Sequence, residues 1–329
     1  MTQGQEQTKT SRVLRQAGRQ SKKVYFIGNP SCGQGYKIKD MFQNLSARLW
    51  GWDCEFRTTG SPAETRTLLE SLRPDEVEAI FLFGGDGTLN RALPTLLRTG
   101  IPLGLLPGGT ANDLSSRLGM SLDRDLIQHL LDDRAVGTMD LISVNGKPFA
   151  TVGGIGFPAL TTDEFNQRRG RSWLTRLEYR SLGPLVYRLI AFKKAFLSRE
   201  IFHQVHLQAD GIEEQIRTAC VLVANQSLLG HDHNVAPCAR IDDGLLDLLI
   251  LCTPYRTELI KAIEDTKKGQ TPPQSLRHTT SRLTIEDVEG RPLLFFGDGE
   301  ILDCQSRLDI RVMPGALKVY RQDCLGGSP

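Results

Sequence analysis

Two glycine-rich segments, each placed directly after a short apolar run, constrain the fold of this chain more than any other feature. The apolar run 79–83 leads into Gly84-Gly85-Asp86-Gly87, and the run 103–106 leads into Pro107-Gly108-Gly109. Continuous apolar runs of this length next to glycine are typical of buried strands. Because such runs alternate with helix-like segments from 22 to about 140, this half predicts βα units around a parallel sheet.

The second half of the chain has a different pattern, made of short β-rich segments and one basic helical insertion at 176–197. The predicted strands are 141–144, 149–152, 205–207, 219–224, 246–251, 283–285, 293–296 and 308–312. These segments predict an antiparallel sheet or sandwich. We therefore expect a loose basic tail at 1–21, an α/β nucleotide-binding domain at 22–140 and a β-rich substrate domain at 141–325. The sequence leaves open whether the last strand of the second domain returns to the first.

Composition excludes several classes of protein. Forty basic residues against 38 acidic residues give a net charge of +2, so the chain carries no strong signal for nucleic-acid binding. No run of about 18 apolar residues occurs, so a transmembrane helix is not expected and any membrane contact should be peripheral. Seven scattered cysteines without a Cys-x-x-Cys pair favour a reducing, cytoplasmic compartment.

The first glycine segment has the chemistry of an anion site. Backbone N–H groups without side chains in front of them, at the positive end of a helix, suit a phosphate. The carboxylate of Asp86 would be balanced there by Mg²⁺ bound to the same phosphates. The alternative is a tight turn between strand and helix in which Asp86 only caps the helix.

The second glycine segment favours the phosphate interpretation. It also follows an apolar run, and it ends in Thr110, Ala111, Asn112 and Asp113. A hydroxyl and an amide can hydrogen-bond a nucleotide, while Asp113 offers a second carboxylate for metal-bound water. Because ligands bind outside the carboxyl ends of parallel strands, both segments should face one crevice.

Together with other motifs, these segments resemble the diacylglycerol kinase catalytic family, which includes bacterial lipid kinases, sphingosine kinases and ceramide kinases, with NAD kinases as distant relatives. The resemblance extends from about 24 to 313. It rests on Asn29-Pro30 with Gly33 and Gly35, on 84–90 and 108–113, on Leu182-Gly183 with Tyr187, on Asn225 with Ala236-Pro237, on 241–247 and on Asp298-Gly299-Glu300. The resemblance implies an N-terminal α/β domain of the NAD kinase and diacylglycerol kinase type, followed by a C-terminal β-sandwich.

The resemblance also implies roles for individual residues. Glu300 would accept the proton of the substrate hydroxyl, with Asp298 beside it. A structural Mg²⁺ would be held by the side chain of Asp243 and the backbone carbonyls of Arg240 and Leu245. The expected ATP-binding residues are Asn29, Thr58, Gly84, Gly85, Asp86, Gly87, Thr88, Leu89, Asn90, Gly109, Thr110, Asn112 and Asp113.

The implied activity is an ATP-dependent transfer of phosphate to an alcohol group of a lipid, diacylglycerol-like or sphingoid, with Mg²⁺. The lipid would be met at a membrane surface by peripheral contact. The basic stretch 168–171 could provide this contact, and the alternative is that it forms a solvated face. The family often forms dimers, so a homodimer is one assembly that the resemblance allows. Two alternatives are an NAD kinase, which shares Gly-Gly-Asp-Gly-Thr, and a non-catalytic nucleotide-binding regulatory protein. Pro158 and Gln226 depart from the family pattern.

Overall fold

The protein is described by a computed structural model that covers residues 22–30, 38–46, 49–109, 112–170, 190, 193, 201–230, 233–252 and 255–326. The chain forms two compact units, and it divides after Gly137 and again after Leu317, so its last residues belong to the first unit. The predicted tail 1–21 lies outside the described residues, as does the predicted insertion 176–197 apart from Ile190 and Lys193. Within the described part, no helix is long and apolar enough to cross a membrane.

Strands and helices alternate in the first half and strands dominate in the second. The described strands are β1 Lys23–Gly28, β2 Asp53–Thr58, β3 Val77–Gly84, β4 Leu103–Pro107, β5 Val136–Val144, β6 Lys147–Phe149, β7 Val152–Gly156, β8 His203–Ala209, β9 Ile212–Thr218, β10 Cys220–Ala224, β11 Leu228–Leu229, β12 His233–Asn234, β13 Leu246–Leu251, β14 Ser275–Thr280, β15 Arg282–Asp287, β16 Leu293–Gly297, β17 Glu300–Gln305 and β18 Arg307–Tyr320. The described α-helices are α1 Ile38–Ser46, α2 Pro62–Ser71, α3 Asp86–Thr99, α4 Asp113–Arg117, α5 Arg124–Asp132, α6 Phe157–Gly170 and α7 Arg256–Lys267.

The first unit is an α/β domain with a parallel sheet, as the sequence predicts. Its strands lie in the order β2-β1-β3-β4, and each neighbouring pair is parallel. The end of β18 adds a further parallel strand, because Val319 pairs with Leu103 of β4. The carboxyl ends of β3 and β4 lie side by side, with Gly84 opposite Pro107.

A row of stacked aromatic rings crosses this sheet and holds β18 in place. Phe26 stacks on Phe56 and on Phe81, with ring centroids 4.9 and 5.0 Å apart, and Phe81 stacks on Tyr320 at 5.4 Å. Gly104 lies opposite Phe81 in β4, and a Cβ atom there would come within 2.3 Å of the Phe81 ring. The missing side chain at Gly104 therefore leaves the space in which the two rings meet.

The second unit is an antiparallel β-sandwich, as predicted. One sheet contains β9, β8, β15 and β18, with β5 and β6 added at β18, and the other has the order β14-β13-β10-β7-β16-β17. Both sheets contribute to one apolar core, which includes Ile142, Phe149, Val221, Ile285 and Phe295. A second apolar cluster joins the other face of the second sheet to α6 and α7, through residues such as Ala159 and Leu259.

The predicted strand 149–152 is wrong. β6 ends at Phe149 and β7 begins at Val152, while the backbone N–H groups of Ala150 and Thr151 between them donate to the carboxylate of Asp298. An amide that bonds a side chain is not available to a strand ladder. The two residues therefore form a break in the chain that anchors a carboxylate.

Candidate active site

The first glycine turn joins the end of β3 to the start of α3. Gly85 is the N-cap of α3 and makes no side-chain capping bond, so the first N–H groups of this helix are not closed off by a side chain at the N-cap. A Cβ atom on Gly84 would lie 2.6 Å from the Cβ of Thr88, one turn into the helix. Glycine at this position therefore allows β3 to turn directly into α3.

The two glycine turns touch each other through their backbones. A Cβ atom on Gly109 would lie 2.5 Å from the Cα of Gly85, and one on Gly85 would lie 2.8 Å from the Cα of Gly109. The N–H of Gly108 also donates to the carbonyl of Gly84 at 3.0 Å. Both predicted phosphate-binding segments are thus parts of one compact backbone surface at the carboxyl ends of β3 and β4.

Asp86 connects the two helices that follow these turns. It is the first residue of α3, and its Oδ1 accepts a hydrogen bond of 3.4 Å from the backbone N–H of Leu114 in α4. The carboxylate therefore reaches across to the first turn of α4, where it accepts one of the N–H groups at the start of that helix.

Asn112 uses its side chain to shape the second turn. Its φ of 59° is left-handed, its Oδ1 accepts from the N–H of Gly109 at 2.7 Å, and its Nδ2 donates to the carbonyl of Gly109 at 3.0 Å. Asparagine tolerates this conformation better than most residues. The amide that the sequence assigns to the nucleotide is thus bonded to the turn itself. Thr110 lies outside the described residues, and the partly buried Asp113 begins α4.

The other predicted ATP-binding residues occupy different surroundings. Asn29 directly follows β1 and is partly buried, and Thr58 is the exposed last residue of β2. The neighbouring Thr59 is buried, with its hydroxyl 2.7 Å from that of Thr65. Leu89 is fully buried in α3, so its side chain packs in the core, while Gly87, Thr88 and Asn90 are partly exposed on the same helix.

On the second unit, Asp298 anchors the turn between β16 and β17. Only 7% of this residue is exposed, and its carboxylate accepts bonds from the N–H groups of Ala150 and Thr151 and from the Thr151 hydroxyl, at 2.7 to 2.9 Å. Asp298 and Gly299 both have positive φ, at 52° and 77°. These bonds hold a strained turn, so the structure gives Asp298 an anchoring role directly beside Glu300.

Glu300 begins β17 and is partly exposed. Its Oε2 lies 3.3 Å from Nδ2 of Asn166, and the same nitrogen donates to the carbonyl of Gly299 at 3.0 Å. Asn166 belongs to α6, a helix that is not among the elements predicted from the sequence. A signal for this helix was present, because Pro158 lies in its first turn, where the missing N–H of proline costs no hydrogen bond.

The turn around Asp243 is held by a buried carboxylate. Asp140 accepts from the N–H groups of Gly244 and Gly315, both at 2.7 Å. Asp243 is exposed, and its Oδ1 accepts from the N–H of Leu245 at 3.1 Å. This connects the predicted metal-binding turn to the middle of β18.

The atoms at this turn that could coordinate a metal ion are all oxygens, which suits a hard cation such as Mg²⁺. Among the described residues, no group of three His, Cys, Asp or Glu side chains could hold a metal ion, so carbonyls and water would have to complete the shell around Asp243. Burial, with the charge of Asp243 added to it, raises the pKa of Asp247 to about 6. A cation would relieve this repulsion between carboxylates, so the residues present are compatible with the metal site that the resemblance implies.

The sequence of this chain matches known families along most of its length. Residues 23–144 match the family model described as "Diacylglycerol kinase catalytic domain", and 175–321 match "YegS C-terminal NAD kinase beta sandwich-like domain". A diacylglycerol kinase of Mycobacterium tuberculosis strain H37Rv is 29% identical over 314 residues, which cover 91% of this chain and 95% of that protein. A Pseudomonas aeruginosa protein named "Probable lipid kinase YegS-like" is 29% identical over 279 residues, covering 82% and 85%.

A solved structure has the same fold. The crystal structure of a diacylglycerol kinase from Bacillus anthracis has a TM-score of 0.67 at 19% identity, and the match covers 93% of this chain and 99% of that one. At this identity the likeness shows the fold alone. The two family matches follow one another along the chain and include the glycine turns, Asp243, Asp298 and Glu300. By these matches, residues 23–144 belong to the diacylglycerol kinase catalytic-domain family, and residues 175–321 belong to the YegS C-terminal domain family.

Proposed function

We propose that the protein is an ATP-dependent lipid kinase, which transfers the γ-phosphoryl group of ATP to a hydroxyl of a diacylglycerol-like or sphingoid lipid. The observation that carries this proposal is the direct backbone contact between Gly85 and Gly109 at the ends of two neighbouring parallel strands. Family membership supports a kinase, and the names of the relatives support a lipid acceptor.

The glycine surface suits the phosphates of a nucleotide. The N-cap of α3 leaves N–H groups at the positive end of that helix, and the close contact between Gly85 and Gly109 places the second turn beside them. Phosphoryl transfer depends on positioning and on stabilisation of charge more than on covalent chemistry with the protein. A surface of fixed N–H donors supplies both.

Glu300 is the proposed proton acceptor. As the lipid oxygen bonds to the γ-phosphorus and the bond to the bridging oxygen of ADP breaks, the hydroxyl proton passes to the Glu300 carboxylate. Asp298 fixes the turn that presents Glu300, because its own oxygens are bonded to Ala150 and Thr151.

Mg²⁺ is proposed in two places. Asp86 and Asp113 would hold its water ligands beside the ATP phosphates, where the ion would supply charge neutralisation. Asp243, with the carbonyls of Arg240 and Leu245, would hold a structural ion.

The acceptor is tested by incubating the purified protein with γ-labelled ATP and Mg²⁺ in mixed micelles. Diacylglycerol, sphingosine, ceramide and NAD are offered separately, and labelled product is separated from ATP. We expect label on one of the three lipids. Label on NAD alone would refute the lipid acceptor, and label on none would favour a regulatory protein that binds nucleotide without turnover.

A further inference from the structure

A single amide of α6 touches both the main chain and the side chain of the Gly299-Glu300 segment. Nδ2 of Asn166 donates to the carbonyl oxygen of Gly299 at 3.0 Å and lies 3.3 Å from Oε2 of Glu300. Both partner atoms are acceptors, so only the amino group of Asn166 can satisfy them. The reversed amide would place oxygen against oxygen, so the contacts fix its orientation.

We propose that Asn166 is a positioning residue that sets the orientation of the Glu300 carboxylate for proton transfer; this inference rests on the proposed function. The terminal torsion of a glutamate is broad, so a carboxylate held only by its own chain can rotate. A donor on Oε2, which is itself fixed by the neighbouring Gly299 carbonyl, restricts this rotation. A misplacement of about 1 Å at a reacting group can slow an enzyme about 100-fold.

The position of α6, the helix that carries Asn166, is fixed by its connection to the second sheet. The helix follows β7 directly, and β7 pairs with β10 on one side and with β16 on the other. A Cβ atom on Gly154 or Gly156 would lie 2.1 Å from a carbonyl oxygen of Val221 or Ala219. Glycine therefore allows β7 to approach its neighbour closely, and α6 starts from a defined position.

The buried residues of α6 also hold the helix in position. Ala159 and Thr161 are fully buried, and the Thr161 hydroxyl donates to the carbonyl of Phe157 at 2.8 Å. The contact of Asn166 with Gly299, in contrast, is exposed to solvent. Exposed hydrogen bonds contribute little to stability, so a change at Asn166 should affect the reaction more than the fold.

The experiment compares kinetics of three variants with the unchanged full-length protein. Asn166→Ala removes both donated bonds, and Asn166→Asp keeps the shape but places a carboxylate against two acceptors. Gln167→Ala is the matched control, because Gln167 is the next residue of α6 and its side chain bonds to Asp163 on the same helix. We measure kcat with a lipid acceptor, KM for ATP, and thermal unfolding.

We expect Asn166→Ala to lower kcat about tenfold while KM for ATP changes less than about twofold. Asn166→Asp should lower kcat further, and Gln167→Ala should leave both constants unchanged. The effect of Asn166 on kcat should depend on the Glu300 carboxylate. In Glu300→Asp the shorter side chain no longer reaches the Asn166 amide, so adding Asn166→Ala to that variant should lower kcat by less than about twofold.

Normal kcat in both Asn166 variants would overturn the inference. It would also be overturned if Asn166→Ala lowered kcat by the same factor in Glu300→Asp as in the unchanged protein. If Asn166→Ala unfolds, Asn166→Asp still decides, because it keeps the shape of the side chain and replaces the amide donor with a carboxylate. Failure of the proposed function looks different: Glu300→Gln would keep normal turnover. Loss of turnover in Glu300→Gln together with normal Asn166 variants would refute this inference alone.

Discussion

At the scale of single residues, the contact between Gly85 and Gly109 is the strongest constraint on the nucleotide surface. In Gly109→Ala, the added methyl would lie 2.5 Å from the Cα of Gly85, so one of the two turns must move. We expect affinity for ATP to fall at least about tenfold, because the N–H donors lose their positions. Equilibrium binding of ATP measures this, with Gly104→Ala in the middle of β4 as a control that disturbs the sheet away from the turn. Unchanged affinity in Gly109→Ala would contradict the assignment.

A second residue-scale prediction concerns Asp287 in β15. Burial alone would raise the pKa of Asp287, but hydrogen bonds from the Arg291 side chain and from the backbone N–H groups of Arg291 and Glu289 hold the pKa below its ordinary value. Because the folded-state pKa is lowered, the stabilisation is present above about pH 4 and is lost as the pH falls through the folded-state value.

Asp287→Asn should remove this acid-sensitive part of the stability. We expect a loss of about 1–3 kcal/mol in the free energy of unfolding at neutral pH, and a flatter dependence of that free energy on pH below about pH 4. Urea titrations at several pH values measure both. Asp75→Asn, which changes an exposed carboxylate, is the control. An unchanged pH dependence in Asp287→Asn would show that this carboxylate does not carry the effect.

At the scale of elements, Gly104 of β4 leaves the space in which Phe81 stacks on Tyr320 of the last strand, β18. In Gly104→Ala, the methyl would meet the Phe81 ring and displace its stacking on Tyr320. We expect a loss of about 1–3 kcal/mol in the free energy of unfolding. Gly60→Ala, where the nearest atom is a Glu64 carboxylate oxygen at 3.4 Å, is the control for an added methyl. Equal stability of the two variants would contradict the account of β4.

The elements also show what the sequence could predict. The apolar strands β3 and β13 are found close to their predicted bounds, because a continuous apolar run is a strong signal. β9, with the sequence IEEQIRT, is too polar for such a pattern, and it forms because it pairs with β8 along its whole length. Pro314-Gly315 suggests a turn, yet β18 continues through it because Asp140 accepts the N–H of Gly315. Tertiary bonds of this kind leave no local pattern.

The same limit applies to the candidate site, because residues that act through tertiary bonds leave no local sequence pattern. Gly84, Asp86 and Glu300 stand in recognisable motifs, so the sequence could name them. Asn166 and Asp140 do not, because their roles arise only when distant segments come together: Asn166 lies 134 positions from Glu300, and Asp140 lies 175 positions from Gly315. The structure also separates Asp298 from Glu300, since the bonds to Ala150 and Thr151 mark Asp298 as an anchor.

At the scale of the whole molecule, the two units carry different parts of the proposed reaction. The first unit carries the glycine surface proposed for ATP, and the second carries Glu300 and its partner Asn166. Binding of ATP and transfer of its phosphate should therefore be separable by mutation. Neither function should survive a change in the glycine turns, whereas a change at Glu300 should spare binding.

The most direct measurement pairs phosphate transfer with ATP binding in Glu300→Gln. We expect transfer from γ-labelled ATP to the lipid acceptor to fall at least about 100-fold, while the Kd for ATP stays within about twofold of the unchanged protein. Glu286→Gln, which alters a carboxylate paired with Arg307 in the same unit, controls for the substitution itself. Normal transfer by Glu300→Gln would contradict the central claim that Glu300 accepts the proton of the lipid hydroxyl.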